Sequence, residues 1–353
     1  MTRWRMPAEW EPHDATWIAW PHHEPDWPGK LEAVVWAYVE IVRVLAEHER
    51  VEILCESDAA RDSASAMLRA HEVTMQRVNL MVAPTDRVWL RDSGPAFVWN
   101  RNGEVEILAW EFNAWSKYDN FQKDRAVPDT VQRATGLPMT RAMRPDDGSE
   151  RLVLEGGGIE VNGNGRILVT EEWLLSDVQV RNPGLTRRDY EDVFNHYLGC
   201  HDTIWLGSGC AGDDTHGHVD DIARFAGRDT VLLAYERDPS DPNHRSSVDN
   251  LERLRVAASH QPLDLVLLPY PRAVMMDGQR LPASYANFYV ANKVVMVPTF
   301  NDPNDRIALS IIADAFPARQ VVGIHAVDLV WGLGTLHCLT QQQPSMAVRA
   351  PSS

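Results

Sequence analysis

A cysteine near the C-terminus stands in a setting that suits a nucleophile. The run WGLGTLHC ends at Cys338, which follows His337, and Gly332 and Gly334 lie just upstream. Glycines make the backbone permissive, so a turn after a strand can hold this thiol exposed for attack. A cysteine with histidine and carboxylates elsewhere in the chain is a candidate nucleophile, whereas an isolated cysteine is more often a small buried hydrophobe. The residues alone leave both roles open.

Four further motifs carry residues that suit acid–base or cation-binding chemistry. They are VWLRDSGP with Asp92, LEGGGIEV with Glu155, DDTHGHVDDIARF with His218 and Asp220, and SYANFYV. An interval of 63 residues separates Asp92 from Glu155, and the same interval separates Glu155 from His218. Motifs that leave the same strand end of successive repeats would converge on one centre, although two equal intervals also arise by coincidence.

The run HGHVDD permits two interpretations. It resembles the metal-binding run of metallo-β-lactamase-like hydrolases, with His216, His218, Asp220 and Asp221 as zinc ligands. Its sixth residue is Asp where that run has His, and supporting ligand motifs are not evident. The alternative is a strand that sends His216, His218 and Asp220 to one face and Asp221 to the other. We expect no metal site here.

Composition restricts the partners of this chain of 353 residues. The net charge of −16 repels phosphate backbones and is compatible with a cationic substrate, so we expect no nucleic-acid partner. No apolar run is long enough for a membrane span, and the N-terminal residues lack the apolar segment of a secretory signal. Four cysteines without a C-x-x-C pair form no disulfide framework. We expect a soluble, cytoplasmic protein.

Apolar periodicity predicts the elements that must position these motifs. Helices are predicted near 31–48, 59–72, 128–136, 187–198, 248–260 and 305–316, and strand-like runs such as VEILC and TIWLG follow several of them. The helix starts near 128, 187, 248 and 305 lie 59, 61 and 57 residues apart, which indicates a repeated strand–helix unit. We predict a single catalytic domain over residues 1–353, with a frayed tail at about 346–353.

Seven motifs, in order between about Met6 and Pro344, resemble those of one known family. They are MPAEWEPHDATWIAWP, WLRDSGP, LEGGGIEVNGNG, GHVDD, SYANFY, FNDPNDRIAL and LHCLTQQQP. Together they resemble the agmatine deiminase / bacterial peptidyl-arginine deiminase family. The resemblance implies an α/β fold, the five-bladed α/β-propeller of the pentein superfamily, in which five ββαβ-type units surround a pseudo-fivefold axis. The spacing of the helices agrees with that fold.

The resemblance also implies roles for individual residues. Cys338 matches the nucleophile, His218 the general acid and base, and Asp92 and Asp220 the carboxylates that hold a guanidinium. Glu155 matches an acid that pairs with the substrate or orients the histidine. The residues expected to bind the rest of the substrate are Trp20, Trp89, Asp86, Asp214 and Gly157. No metal and no organic cofactor is implied, because side chains supply both the nucleophile and the proton shuttle.

The implied reaction is hydrolytic deimination of a guanidino compound. Agmatine and water would give N-carbamoylputrescine and ammonia through a Cys S-alkylthiouronium, a step in polyamine biosynthesis. The chain departs from the family where GLGTL replaces the frequent GGGNI and where HGHVDD replaces NGHVDN, which leaves the substrate open. The alternatives are deimination of arginine, peptidyl-arginine or another guanidino compound, a metal-dependent hydrolase using HGHVDD, and a non-catalytic guanidine-binding pentein.

The charges near the motifs favour an amine-terminated guanidine over a free amino acid. Arginine has a carboxylate that requires a cation, and the motifs supply Arg87 and Arg91 as their basic residues. On a strand both side chains would point away from the pocket, because they lie four residues apart and Arg91 precedes Asp92. We therefore expect a small cationic guanidino substrate, and whether the protein forms a homodimer stays open.

Overall fold

Short strands and helices alternate along the chain, and a computed structural model describes them over residues 3–347. The strands in this range are β1 (Trp4–Arg5), β2 (His13–Ala19), β3 (Arg50–Cys55), β4 (Val78–Val82), β5 (Ala96–Asn100), β6 (Val105–Ala109), β7 (Met139–Arg141), β8 (Glu160–Val161), β9 (Arg166–Thr170), β10 (Asp202–Leu206), β11 (Ala223–Gly227), β12 (Thr230–Tyr235), β13 (Asp264–Pro269), β14 (Met275–Met276), β15 (Gln279–Arg280), β16 (Tyr289–Val290), β17 (Val294–Thr299), β18 (Gln320–His325) and β19 (Gln341–Pro344). The helices are α1 (Leu31–Ala46), α2 (Asp58–Ala70), α3 (Leu90–Ser93), α4 (Val127–Thr135), α5 (Glu171–Leu175), α6 (Arg187–Val193), α7 (Asn243–His260), α8 (Asn304–Ala315) and α9 (Leu336–Leu339).

Five small sheets share one pattern of strands, and the fold is of the α/β class. Their strand orders are β1-β5-β6-β7, β10-β9-β8, β11-β12-β13, β16-β17-β18 and β19-β2-β3-β4. In each sheet an antiparallel pair is followed, across at least one helix, by a parallel strand, as when β12 pairs antiparallel with β11 and parallel with β13. The last sheet joins both ends of the chain, because β19 pairs antiparallel with β2.

Side-chain chemistry accounts for the ends of several elements. Thr186 and Asp189 form a capping box at the start of α6, each side chain accepting from the backbone N–H of the other residue. Gly136 ends α4 in the left-handed conformation, at φ 69°, which glycine adopts at little cost. Strand β17 is buried along nearly its whole length, as is typical of a strand that has a parallel neighbour and both faces covered.

The predicted helices are confirmed, with shifts at their ends. Helix α7 begins at Asn243, five residues before the predicted start, and the pattern over 187–198 divides into α6 and a π-helical turn, Phe194–Leu198. Of the tail predicted at about 346–353, residues 348–353 lie outside the described residues, and the Ala347 N–H donates to the Gly103 carbonyl at 2.9 Å. No helix in the described range has the length and apolar character to cross a membrane.

Two predicted strands are wrong, and both errors affect the site. Residues around Asp92 form the short helix α3 instead of a strand. In HGHVDD, a 3-10 turn at Val219–Asp221 replaces the strand, since His216 and Gly217 have φ values of 64° and 101°. Asp213 folds this loop, because its carboxylate accepts from the N–H groups of Gly217 at 2.8 Å and His218 at 3.1 Å.

Candidate active site

Each of the five sheets contributes the segment just before one of its strands to a common centre. Asp92 precedes β5, Glu155 precedes β8, His218 precedes β11, Asn287 precedes β16 and Cys338 precedes β19. All five side chains are buried. His218 lies 3.4 Å from Glu155 and 3.7 Å from Asp92, and Asn287 lies 3.1 Å from Cys338. The motifs therefore leave corresponding positions of successive units, as their spacing predicts.

The candidate nucleophile lies at the centre of this arrangement. Cys338 is in α9, not on an open turn, and the residue is 8% exposed. Its Sγ accepts a hydrogen bond from Asn287 Nδ2 at 3.1 Å and lies 3.7 Å from Asp220 Oδ2. Gly334 is required for this packing, because a Cβ there would come within 2.8 Å of the Trp89 ring and 3.1 Å of the cysteine Cβ.

Asn287 is a site residue that sequence reasoning missed. Besides the sulfur, its Nδ2 contacts Asp221 Oδ1 at 3.0 Å, and its Oδ1 accepts from Thr335 Oγ1 at 2.7 Å and His337 N at 3.0 Å. These partners fix the orientation of the amide, so an N–H points at the sulfur and favours the thiolate. The motif SYANFYV marked the segment, but nothing in one sequence separates this asparagine from a turn residue.

His218 lies between two buried carboxylates. Its Nε2 is 3.4 Å from Glu155 Oε2 and its Nδ1 is 3.7 Å from Asp92 Oδ2. Burial by itself lowers the pKa of His218, but Asp92 and Glu155 together raise that pKa to about 9. Burial raises the pKa of Glu155, but Arg181, whose Nε donates to it at 3.0 Å, and His218 hold that pKa at about 2. The imidazole is therefore cationic at neutral pH.

Asp92 is oriented by two donors. Its Oδ1 accepts from Gly157 N at 2.9 Å, and its Oδ2 accepts from Trp115 Nε1 at 2.9 Å. Burial and the nearby Asp220 raise the pKa of Asp92 to about 6, although His218 opposes this shift. Gly157 packs inside the site, since a Cβ there would lie 2.6 Å from His218 Nδ1.

Asp220 and Asp221 both approach the cysteine. Their carboxylate oxygens and Cys338 Sγ lie within 4.8 Å of one another, which contradicts the prediction that Asp221 faces away; the 3-10 turn rotates successive side chains less than a strand does. Burial raises the pKa of the Cys338 thiol well above its usual range, and the carboxylates of Asp220 and Asp221 raise it further. Burial also opposes ionisation of Asp220, but a hydrogen bond from His337 lowers the pKa of this acid.

Two buried polar atoms of the site have no hydrogen-bond partner among the described residues. They are His218 Nδ1 and Asp220 Oδ1. Buried polar groups are normally satisfied, so a ligand that enters the site can supply the missing partners of these two atoms. One is on the candidate proton shuttle and the other on a candidate guanidinium-binding carboxylate.

The zinc ligand set of the alternative hydrolase is not assembled. Within residues 3–347, the group of metal-ligating side chains that lie close together is Asp220, Asp221 and Cys338. His216 is outside it, and its Nε2 is 2.8 Å from Ser176 Oγ. The left-handed backbone at His216 turns this side chain away from His218.

A cavity of about 390 Å³ leads from the surface to the cysteine and Asp92. Trp89 and Asp214, two of the residues expected to bind substrate, line it. Trp20 and Asp86 are not among the described residues that line it. The Trp20 ring packs edge-on against Tyr38, with centroids 6.1 Å apart, and Asp86 Oδ2 accepts from the backbone N–H of Lys123 at 2.8 Å.

Arg87 lines the cavity, so the prediction that it points away is wrong. The segment before α3 is not a strand, and alternation does not apply to it. The guanidinium donates to Asn120 O at 2.9 Å, lies 3.6 Å from Asp26 Oδ1 and stacks over the Tyr118 ring at 4.3 Å. Arg91 is buried instead against Glu9 and does not line the cavity, as expected, although it is in a helix.

Comparisons with known proteins identify the family of the chain. The model of the Porphyromonas-type peptidyl-arginine deiminase family matches residues 5–344, so the chain belongs to this family. The agmatine deiminase of Ectopseudomonas mendocina is 33% identical over 366 residues, covering 96% of this chain and 95% of that protein. The structure of Enterococcus faecalis agmatine deiminase superposes with a TM-score of 0.88 at 29% identity, covering 98% and 99% of the two chains. A C. jejuni agmatine deiminase with substrate bound gives a TM-score of 0.86 at 26% identity, covering 97% of each chain.

Proposed function

We propose that the protein is a hydrolase that deiminates a small guanidino compound, with agmatine as the first candidate. The observation that carries the proposal is that an open cavity reaches Cys338 and Asp92, which in turn contact Asp220 and the cationic His218. The agmatine deiminases to which the chain is similar support both the reaction and the substrate.

The carboxylates account for substrate recognition. A guanidinium is planar and presents N–H groups that pair with carboxylates in a bidentate manner. Asp92 and Asp220 both lie next to Gly157, where an added Cβ would come within 2.9 Å of one carboxylate and 3.1 Å of the other, and Asp220 Oδ1 has no hydrogen-bond partner among the described residues. A guanidinium held here satisfies that oxygen and places its central carbon near Cys338 Sγ, which converts the attack into an intramolecular step.

Nucleophilic attack then follows in two balanced stages. The Cys338 thiolate forms an S–C bond with the guanidinium carbon, and His218 donates its proton to the leaving nitrogen, so that the C–N bond breaks and ammonia departs. The neutral His218 next takes a proton from water, the resulting hydroxide attacks the carbon of the S-alkylthiouronium, and collapse of the adduct breaks the C–S bond. The thiolate is restored, the hydroxyl proton of the adduct passes to the released ammonia to give ammonium, and the neutral ureido product leaves.

The protonation states explain the order of these events. Without substrate the thiol is protonated, since burial and nearby carboxylates raise the pKa of Cys338. A cation bound beside the sulfur opposes this effect and lowers the same pKa. The Asn287 amide adds a hydrogen bond that favours the thiolate. The nucleophile is therefore generated when the guanidinium arrives.

The outer cavity favours a substrate with a cationic tail, although less strongly than the sequence indicates. The outer wall carries more negative than positive side chains, because Arg87 is accompanied there by Asp26, Asp214 and Asp277. Asp214 accepts from the Tyr118 hydroxyl at 2.7 Å and pairs with Lys117. The second ammonium of agmatine suits such an acidic wall, whereas the carboxylate of arginine would have to compete with Asp26 for Arg87.

We also propose that the five sheets are the blades of an α/β-propeller and that residues 1–353 form one catalytic domain. The repeated antiparallel–parallel pattern supports the first point. The convergence of segments from all five sheets on one cavity supports the second, because no single sheet carries enough of the site to act alone.

A colorimetric assay for ureido product tests the function. Agmatine, arginine and peptidyl-arginine are compared at equal concentration, each with and without EDTA. We expect ureido product from agmatine in the presence of EDTA and a lower kcat/KM for arginine. Turnover that is lost to the chelator and restored by zinc would favour the metal-dependent hydrolase. Guanidine binding without turnover would favour a non-catalytic pentein.

A further inference from the structure

A second histidine, next to the candidate nucleophile in sequence, is buried, and the reaction described above does not use it. His337 is 1% exposed. Its Nδ1 is 2.7 Å from Asp220 Oδ2 and its Nε2 is 2.7 Å from Glu9 Oε2. The same oxygen of Asp220 lies 3.7 Å from Cys338 Sγ. A chain of contacts therefore runs from Glu9 through the imidazole to the reacting sulfur.

The two carboxylate contacts restrict which ring nitrogens of His337 carry a proton. An ionised carboxylate can only accept hydrogen bonds, so a ring between two of them must donate from both nitrogens. A neutral imidazole carries one N–H and an imidazolium carries two. Burial opposes ionisation of both acids, yet the pKa of Glu9 is lowered, mainly by Arg224 and His337, and that of Asp220 is lowered by the hydrogen bond from His337. Two ionised carboxylates, each 2.7 Å from one ring nitrogen, therefore require an N–H on both nitrogens.

Hydrogen bonds and ion pairs from neighbouring residues fix the orientation of Glu9 and His337. Glu9 Oε2 also contacts Arg224 at 3.0 Å and Arg91 at 3.4 Å, and its Oε1 accepts from Val290 N at 2.7 Å. Around His337 itself, Arg91 Nε donates to the backbone carbonyl at 3.3 Å. On its other side, Asn287 Oδ1 accepts from the His337 N–H at 3.0 Å. Beyond Arg224 lies Glu160, whose Oε2 accepts from it at 2.9 Å.

The contact with His337 gives Asp220 a pKa shift opposite to that of the neighbouring aspartates. Three aspartates surround the sulfur, and burial raises the pKa of Asp92 and of Asp221, the latter well above its usual range. Asp220 is the member of this group whose pKa is lowered, and His337 is the contact that distinguishes it. Without that cation, a carboxylate this deeply buried among other acids would take up a proton and bind a guanidinium poorly.

We propose that Glu9 and His337 are positioning residues for deimination, which form a doubly hydrogen-bonded imidazolium that orients Asp220 and keeps it ionised beside Cys338. The inference rests on the proposed function for its effect on turnover, but the protonation of His337 can be tested independently of any reaction.

Neutron diffraction from crystals of the unmodified protein tests the charge. We expect deuterons on both Nδ1 and Nε2 of His337 at neutral pH. A ring with one deuteron, together with a deuteron on the Glu9 or Asp220 carboxyl group, would overturn the proposal. Because this measurement uses no variant and no substrate, it stands even if the protein turns over no guanidine, in which case the proposed function fails on its own.

The pH dependence of Glu9→Gln tests the effect on turnover. The glutamine keeps the shape of the side chain and removes its charge, so the imidazolium is destabilised and the pKa of Asp220 rises. We expect the pKa of Asp220 to rise by about 1–3 units towards that of Asp92, so that two acids take up protons together and the acid limb of kcat/KM for agmatine becomes steeper or moves upward, with kcat at alkaline pH changed much less than KM. An acid limb of unchanged slope and position in a variant that unfolds cooperatively near the wild-type temperature would overturn the proposal.

Glu49→Gln is the matched control. Glu49 is also buried and lies 3.3 Å from a buried histidine, His13, but neither residue contacts Asp220. Loss of a buried glutamate–histidine pair as such should destabilise both variants. An acid limb that moves equally in both would show a structural effect and would also count against the positioning role. If Glu9→Gln does not fold, the diffraction result decides.

Discussion

The two ends of the cavity are built on different principles. At the inner end, Cys338 and Asp92 are buried, and fixed donors orient both the sulfur and the carboxylate. At the outer end, the hairpin formed by β14 and β15 contributes Met276, Asp277 and Gln279, of which the last two are exposed. The inner end holds one arrangement of charges, whereas the outer end includes side chains in contact with water.

This difference assigns the chemistry and the choice of substrate to different parts of the molecule. Electrostatic interactions strengthen as water is excluded, so the inner contacts affect bond making and breaking, and exposed charges at the mouth are screened. Substitutions at the inner end should therefore change kcat by orders of magnitude. Substitutions at the outer end should change KM for particular tails and leave kcat nearly unaltered.

Removal of the nucleophile should have the largest effect. We expect Cys338→Ala to lower kcat for agmatine by about 10⁴-fold or more, because loss of a covalent nucleophile typically lowers kcat on that scale. The fold should be retained. Steady-state turnover and circular dichroism measure the two quantities. Cys200→Ala, at a buried cysteine in the other hydrophobic cluster, is the control and should remain active. Near wild-type activity of Cys338→Ala would rule out the covalent mechanism.

Loss of the amide donor should come next. Asn287→Ala removes the N–H that contacts Cys338 Sγ, and a hydrogen bond to a charged group contributes about 1.5–3 kcal/mol, or about 10- to 150-fold in kcat. Alkylation of Cys338 by iodoacetamide should also become fast only at a higher pH than in the wild type, because the thiolate is less stable. Asn250→Ala, at a buried asparagine that binds Gly207 N, controls for loss of packing. An unchanged alkylation profile would remove the proposed role.

The inner end should also define the pH range of the unmodified enzyme. Below the pKa of Asp92, about 6, this acid is protonated and grips a guanidinium less well. Above the pKa of His218, about 9, the ring has lost the proton that the leaving nitrogen requires. We expect kcat at saturating agmatine, where the bound guanidinium has lowered the pKa of Cys338, to fall about tenfold for each pH unit outside this window. A kcat that rises steadily from pH 6 to pH 10 would contradict these assignments.

The smallest effect should come from the outer end. Asp214→Asn should raise KM for agmatine by about fivefold or less, because an ion pair near the surface contributes at most about 1 kcal/mol and Asp214 already pairs with Lys117. Asp26→Asn provides a comparison at a more buried wall position, where one carboxylate oxygen has no hydrogen-bond partner within residues 3–347. Unchanged KM values in both variants would place the amine-binding group elsewhere.

Several features of the site were accessible from the sequence because they depend on residue type and local order. The helix spacing and the intervals between Asp92, Glu155 and His218 indicated that the motifs converge, and the five sheets present them at corresponding positions. The errors arose where the alternation of side chains on a strand was applied to segments that do not form strands. Arg87 and Asp221 were misplaced because backbone hydrogen bonds to Asp124 and Asp213 fold the flanking loops.

The sequence by itself determined which reactive groups the chain carries and the order in which its units supply them. Only the tertiary structure decided which groups meet. Glu9 and His337 are 328 positions apart, and they touch because β19 pairs with β2 and brings both ends of the chain into one sheet. Asn287 reaches the sulfur across 51 positions. Periodicity reports which face of an element is apolar, but a hydrogen bond between distant segments depends on how the sheets pack, and that is not encoded in any local pattern.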